Sequence, residues 1–129
     1  MRQILLLGSG IVGRMIARFL VRSGDYRLRV ADVDAASLAR LKQHVEVDTV
    51  QIDAANPAQL DAALQGCDAV ISALSFRFNP GIAQAALRAG ASYFDLTEDV
   101  ETSRAVREIA KSAKPGQIFM PQCGLAPGF

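Results

Sequence analysis

Six residues near the N-terminus, Gly8-Ser9-Gly10-Ile11-Val12-Gly13, constrain this chain more than any other feature. They match the spacing G-x-G-x-x-G, directly follow the apolar run Ile4–Leu7, and open a helical pattern over Ile11–Arg22. Glycines cluster by chance, but between a strand and a helix each of these three has a physical task. Gly8 makes the tight turn, Gly10 lets backbone approach a pyrophosphate, and Gly13 lets helix and strand pack closely, helped by the small Ala17 one turn further on. An anion then sits on free amides at the positive end of the helix. Ser9, Ile11 and Val12 complete the candidate coenzyme-binding loop. Along the helix, Ile11, Val12, Met15, Ile16, Phe19 and Leu20 recur at helical spacing as the expected core face. Arg14, Arg18 and Arg22 then read as an opposite, solvated stripe.

The rest of the chain continues the alternation. Further strand candidates are Leu28–Ala31, Val47–Ile52, Ala69–Ser72, Ser92–Leu96 and Ile118–Met120, and further helix candidates are Ala36–His44, Pro57–Leu64, Pro80–Ala89 and Val100–Ser112. Most strands are short apolar runs, as central parallel strands covered on both faces require; Val47–Ile52 mixes in polar residues, as a peripheral strand does. Asn56-Pro57 and Asn79-Pro80 each place a capping side chain before a proline at the first helical position. Gly24, Gly66 and Gly90 follow helices where a left-handed residue is needed. Right-handed crossovers then predict an α/β Rossmann-type fold: a doubly wound parallel sheet of about six strands in the order 3-2-1-4-5-6, within three α/β/α layers. At 129 residues the chain reads as one dinucleotide-binding domain over 1–129.

Composition narrows the partners. With 50% hydrophobic and 21% charged residues the chain can bury a core, and a net charge of +1 provides no basic field for nucleic acid. Cys67 and Cys123 form no Cys-x-x-Cys and have no clustered histidine, so neither a disulfide framework nor a metal site is expected. The apolar run before Gly8 is too short for a signal peptide, and no run of about 20 apolar residues suggests a membrane span. A cytoplasmic location is the expectation. The residues leave the oligomeric state, including a homo-oligomer, open.

Asp32 ends the second predicted strand roughly 20 residues after the glycine loop, where an acid accepts hydrogen bonds from an adenosine ribose. A carboxylate repels a 2′-phosphate, and Val33 is no arginine clamp, so these residues predict NAD over NADP. Asp34 reads as a helix cap. Asp53, at the end of the third strand, borders the adenine or simply makes a turn. Ser72 to Ser75 ends the fourth strand beside the switch point, where open α/β sheets bind ligands; Ser72 and Ala73 are its candidate residues, and simple packing of small residues is the alternative.

The C-terminal third is more specific. Gly90-Ala91-Ser92-Tyr93-Phe94-Asp95-Leu96-Thr97-Glu98, preceded by Asp68-Ala69-Val70-Ile71-Ser72-Ala73 and followed by Gly124-Leu125-Ala126-Pro127-Gly128, resembles the N-terminal coenzyme domain of the saccharopine dehydrogenase family. That family includes lysine 6-dehydrogenases and carboxynorspermidine-type enzymes. The resemblance spans essentially the whole chain. It implies a pyridine-nucleotide oxidoreductase acting at a carbon–nitrogen bond of an amino-acid substrate, with a C-terminal substrate domain, absent from this chain, beginning after the Gly-x-x-Pro-Gly segment. Members are often NADP-binding, so the resemblance keeps NADP possible beside NAD.

Removing a proton from a substrate amine needs a positioned base. Asp95, Thr97 and Glu98 lie at the ligand edge as candidates, although Asp95 and Glu98 also have the spacing of a helix capping box. Tyr93 reads as core, His44 as a remote helix end, and Cys123 as a neutral thiol near the expected nicotinamide pocket. The catalytic base itself stays unassigned, and the fragment alone is expected to be inactive. A different reading is a stand-alone nucleotide sensor without catalysis. A complete small reductase is disfavoured, because Tyr26 and Tyr93 are followed one helical turn later by Val30 and Thr97 rather than lysine.

Overall fold

A computed structural model describes residues 1–121. Strand β1 (Arg2–Leu7) leads into helix α1 (Ile11–Ser23), and β2 (Tyr26–Asp32), α2 (Ala35–Lys42), β3 (Asp48–Gln51) and α3 (Pro57–Leu64) follow. Next come β4 (Ala69–Ser72), a 3-10 turn (Phe76–Phe78), α4 (Asn79–Ala89), β5 (Ser92–Asp95), α5 (Val100–Ala110) and β6 (Phe119–Met120). All neighbouring strands pair in parallel, in the order β3-β2-β1-β4-β5-β6. The predicted Rossmann-type sheet is therefore the observed one, with the polar β3 at an edge.

Alternation along β1 builds the three layers. Leu5 and Leu7 face α3, α4 and α5, packing with Leu60, Leu64, Ile82 and Val106. Ile4 and Leu6 face α1 and α2, packing with Ala17, Leu20, Leu38 and Leu41. Leu5 and Leu6 are both 0% exposed, so apolar burial on both faces holds the central strand. Cys67 is buried in the first of these layers, and burial pushes its thiol pKa up, which keeps it protonated and unreactive. Among the described residues no helix is long and apolar enough to cross a membrane.

Three local expectations change. On α1 the buried residues are Gly13, Ala17 and Leu20, while Ile11 and Phe19 are each 73% exposed and Val12 and Met15 also face outward. The helix seats Gly13 and Ala17 on the sheet because the loop must come close, so of the expected core face only Leu20 is buried and Ile16 partly so. The arginines therefore flank an exposed apolar stripe rather than opposing a buried one. Asn79 lies inside α4, not at its cap, and its buried Oδ1 accepts from Ser72 Oγ at 2.7 Å. The cap of α5 is Asp99, whose carboxylate accepts from Thr102 N and Oγ1, and not an Asp95–Glu98 box. Asn56, Gly24, Gly66 and Gly90 do as the sequence predicts, the glycines all at positive φ.

Candidate coenzyme site

The carboxyl ends of β1, β2 and β4 meet at the glycine loop. Gly8 sits at φ 110, and a Cβ there would come 3.0 Å from the carbonyl oxygen of Ala73. Ala73 thus enters the site as backbone supporting the turn, with its amide bonded to Leu7 O at 2.8 Å. Gly13 faces the loop itself: a Cβ on it would lie 2.1 Å from Gly8 O. Gly10 is different. It is exposed and nothing lies within 4 Å of where its Cβ would be, so an open cradle stands at the helix start. The α2, α3 and α5 N-termini are capped by Asp34, Asn56 and Asp99, whereas α1, like α4, has no side-chain cap and no acid in its first turn. Its leading amides are left for an external anion. Ile11 and Val12 flank this cradle, exposed.

Asp32 closes the loop from the side. Its Oδ2 accepts from Ser9 N at 2.8 Å and Ser9 Oγ at 2.7 Å, and its Oδ1 accepts from Asp34 N at 3.0 Å. Partial burial raises the Asp32 pKa, but hydrogen bonds from Asp34, Ser9 and Val33 together outweigh it and hold the carboxyl below its usual range. The group is ionised at neutral pH. Because the folded chain holds this proton less tightly than the unfolded one, Asp32 contributes stability above the usual carboxylate range and loses it as pH falls through the lowered folded value. Asp32→Asn is expected to cost stability at pH 7 and progressively less below about pH 4, read by urea unfolding at each pH. A difference between the two proteins that stayed constant with pH would contradict this.

The remaining candidates divide. Asp53 is exposed and lines a small apolar crevice of about 70 Å3 together with Leu7, Ala31, Asp32, Val33, Leu74 and Phe78, at the edge where an adenine would lie. Its carboxylate accepts from Ala55 N at 2.9 Å, which is the turn role the sequence offered for it. Leu74 comes from the segment expected at the end of the fourth strand, whereas Phe78, from an unpredicted 3-10 turn, was not foreseen as a lining residue. Ser9 and Ser72 are each 1% exposed and point inward, Ser9 to Asp32 and Ser72 to Asn79. Asp95 is 0% exposed, accepting from Tyr93 Oη at 2.5 Å and from Thr97 N at 3.0 Å. It orders the β5 end and does not reach the surface, where Glu98 is exposed and Thr97 half-buried. His44 lies in a groove with Met1, Gln3 and Tyr26 at the opposite edge of the sheet. No group of three His, Cys, Asp or Glu that could hold a metal occurs among the described residues. Cys123 and the Gly124–Gly128 segment lie outside the described residues.

A glycine turn under an uncapped helix, a partly buried carboxylate at the next strand end and an apolar crevice beside it are the features of an NAD(P)-binding Rossmann domain. The chain belongs to the saccharopine dehydrogenase NADP binding domain family, whose model matches residues 4–120. It is 29% identical over 98% of its length to a Saccharomyces cerevisiae saccharopine dehydrogenase (NADP+, L-glutamate-forming), and 32% identical over 98% to the same-named protein of Pyricularia oryzae. It spans 28% of the length of each. The solved apo saccharopine dehydrogenase of S. cerevisiae superposes with a TM-score of 0.85 at 27% identity, covering 99% of this chain and 28% of that one. The NAD(P)-binding domain of an exopolyphosphatase-related protein from Archaeoglobus fulgidus, at 17% identity and TM-score 0.71 over 93% of this chain and 88% of that one, shares the fold.

Proposed function

We propose that this chain is the coenzyme-binding part of an NAD(H)-preferring oxidoreductase acting at a carbon–nitrogen bond of an amino-acid substrate. Family membership and the relatives' names support the reaction class; their greater length supports a separate substrate domain of the kind that fills the rest of those proteins. When bound, the nicotinamide supplies the hydride acceptor or donor. Gly8, Gly10, Ile11, Val12 and Gly13 hold the pyrophosphate side, Asp32 the adenosine ribose, and Asp53 with the crevice the adenine. Ser9, Ser72 and Ala73 support the loop from beneath. Asp95 holds Thr97 in place at the nicotinamide edge, and Glu98 is the exposed carboxylate there able to meet a substrate amine.

The observation that carries the reading is the ionised Asp32 carboxylate one hydrogen bond from the glycine loop, with Val33 next in sequence. A 2′-phosphate brings about 1.5 to 2 negative charges to that carboxylate. The family's name points to NADP, so the two coenzymes should be titrated side by side into the purified chain. NAD at 100 times its dissociation constant is expected to stabilise the fold by about 2.7 kcal/mol, and NADP at the same concentration by less. Equal or greater stabilisation by NADP would remove the role given to Asp32. The same chain is expected to leave lysine and saccharopine unchanged in the presence of either coenzyme, and turnover would place the catalytic base within these residues.

A further inference from the structure

The two faces of the sheet are unequally covered. Helices α3, α4 and α5 pack on one face, and among the described residues α1 and α2 pack on the other over β1, β2 and β3. That leaves β5, β6 and part of β4 bare on the α1 side, although parallel strands are normally covered on both faces. The bare strip is apolar. Register sets Ile71, Phe94 and Met120 side by side across β4, β5 and β6. Tyr93 and Phe119 pack into the opposite layer, so Phe94, Ile118 and Met120 point to the α1 side. Ile118 and Met120 are each about half exposed, and Ile71 and Phe94 half-buried.

Beside this strip stands α1, apolar on two opposite sides. Gly13, Ala17 and Leu20 face the sheet, while Ile11, Met15 and Phe19 form an exposed ridge on the far side. At about 100° per residue, Val12 and Ile16 lie along one flank and Arg14 and Arg18 along the other. The right-handed crossover from β1 to β2 turns the arginine flank toward α2 and the apolar flank toward the bare strip. A helix apolar on more than one side belongs in an interior. Ile11 and Val12 serve the coenzyme loop through their amides, which leaves their side chains to this surface.

We infer that this surface binds a second copy of the chain, the α1 ridge of each copy lying in the bare strip of the other. The fit is geometric. Three strands about 4.8 Å apart leave room for one helix of about 10 Å diameter. A two-fold axis parallel to the strands, set between ridge and strip, exchanges the two α1 helices. They then run side by side in the same direction between two sheets, meeting along Val12, Ile16 and Phe19. Ile11, Val12, Met15, Phe19, Ile118 and Met120 are each at least half exposed. Together they leave bare on the order of 800 Å2, the area that each side of a stable interface covers, and Ile16, Ile71 and Phe94 add to it. The same axis carries the arginine rows to opposite rims, so like charges stay apart. One self-complementary contact thus covers both bare patches, as a two-fold interface requires.

Analytical ultracentrifugation of the purified chain tests this. At about 100 μM, well above a micromolar dissociation constant, the chain is expected to sediment at twice the mass of one copy. Phe19→Glu, on the ridge, and Met120→Lys, on the strip, are each expected to give monomer. Each weakens association roughly 1000-fold, because a two-fold interface repeats a loss of about 30-fold. Mixed in equal amounts, the two variants are expected to recover a one-to-one dimer: one ridge and one strip in that pair are wild type, and the other contact joins opposite charges. Arg18→Glu, on the rim, is expected to leave the dimer intact. Both substituted side chains face outward, so circular dichroism should stay that of wild type; if a charge unfolds the chain, Phe19→Ser and Met120→Ser carry the same expectation of monomer. A monomeric wild type overturns the inference and leaves the bare face to another part of a longer protein. A dimer that survives the ridge or the strip substitution, or variants that stay monomeric when mixed, overturns it too.

Discussion

Gly13→Ala is expected to lower the melting temperature by roughly 10 °C and to abolish coenzyme binding, the largest effect of any single methyl group added to this chain. The added Cβ would stand 2.1 Å from Gly8 O and 2.7 Å from Gly8 C. Both atoms are backbone, and Gly8 is itself held by the bond from its amide to Ala31 O at 2.8 Å and by its contact with Ala73. No rotamer relieves such a clash; α1 must lift off the sheet. Overpacking of this kind costs about 3 kcal/mol, a large share of the roughly 5–15 kcal/mol that holds a domain together. That cost converts to a shift of about 10 °C at this chain length. Gly10→Ala separates folding from binding. Its Cβ would meet nothing within 4 Å and its φ of −72 suits any residue, so the melting temperature should move by no more than about 1 kcal/mol allows. NAD affinity should nevertheless fall, because the methyl occupies the space a pyrophosphate needs. A Gly13→Ala protein melting within 2 or 3 °C of wild type, against the roughly 10 °C expected from overpacking, would mean that α1 is not seated on Gly8 as described.

Asp32→Ala is expected to weaken NAD about 10- to 100-fold and to erase most of the discrimination against NADP. Two losses combine. The ligand loses a charged acceptor for its ribose hydroxyls, and hydrogen bonds to charged groups are each worth about 1.5–3 kcal/mol. The protein loses the anchor of its own loop, since the Ser9 amide is left without its partner in a residue that is 1% exposed. NADP, which gains relief from charge repulsion while losing the same loop anchor, should change far less. Parallel titrations of the two coenzymes into wild type and variant measure the ratio directly. A ratio that stays the same would show that the carboxylate does not govern coenzyme choice, and the family's NADP label would then describe this chain as well.

Much of the architecture was legible because it rests on local chemistry. The strand order followed from alternating short apolar runs and helices, since parallel strands need crossovers of one hand, and the capping residues Asp34 and Asn56 announced their helices through short polar side chains that reach the next amides. The placement of the glycine loop between strand and helix, with Asp32 at the end of the next strand, was also readable, because glycine spacing and an apolar run ending in an acid are local signals. Side-chain direction was not. Ser9 looked like a ligand contact and turns inward; Asp95 looked like a candidate base and is sealed under Tyr93; Ile11 and Phe19 looked like core and face out. In each case a residue's neighbours come from a distant part of the chain, and hydropathy carries no record of them. Ser37 is the plainest instance: nothing in the sequence links a serine near the start of α2 to the glycine loop, yet packing α2 against β2 and β3 brings its hydroxyl to 2.8 Å from Ser9 Oγ. The motif named the ligand class from its spacing alone. Which hydroxyls and carboxylates turn inward to hold the loop, and which stay at its surface, was decided by helices and strands meeting across the sheet, where burial leaves each polar atom few partners to choose from.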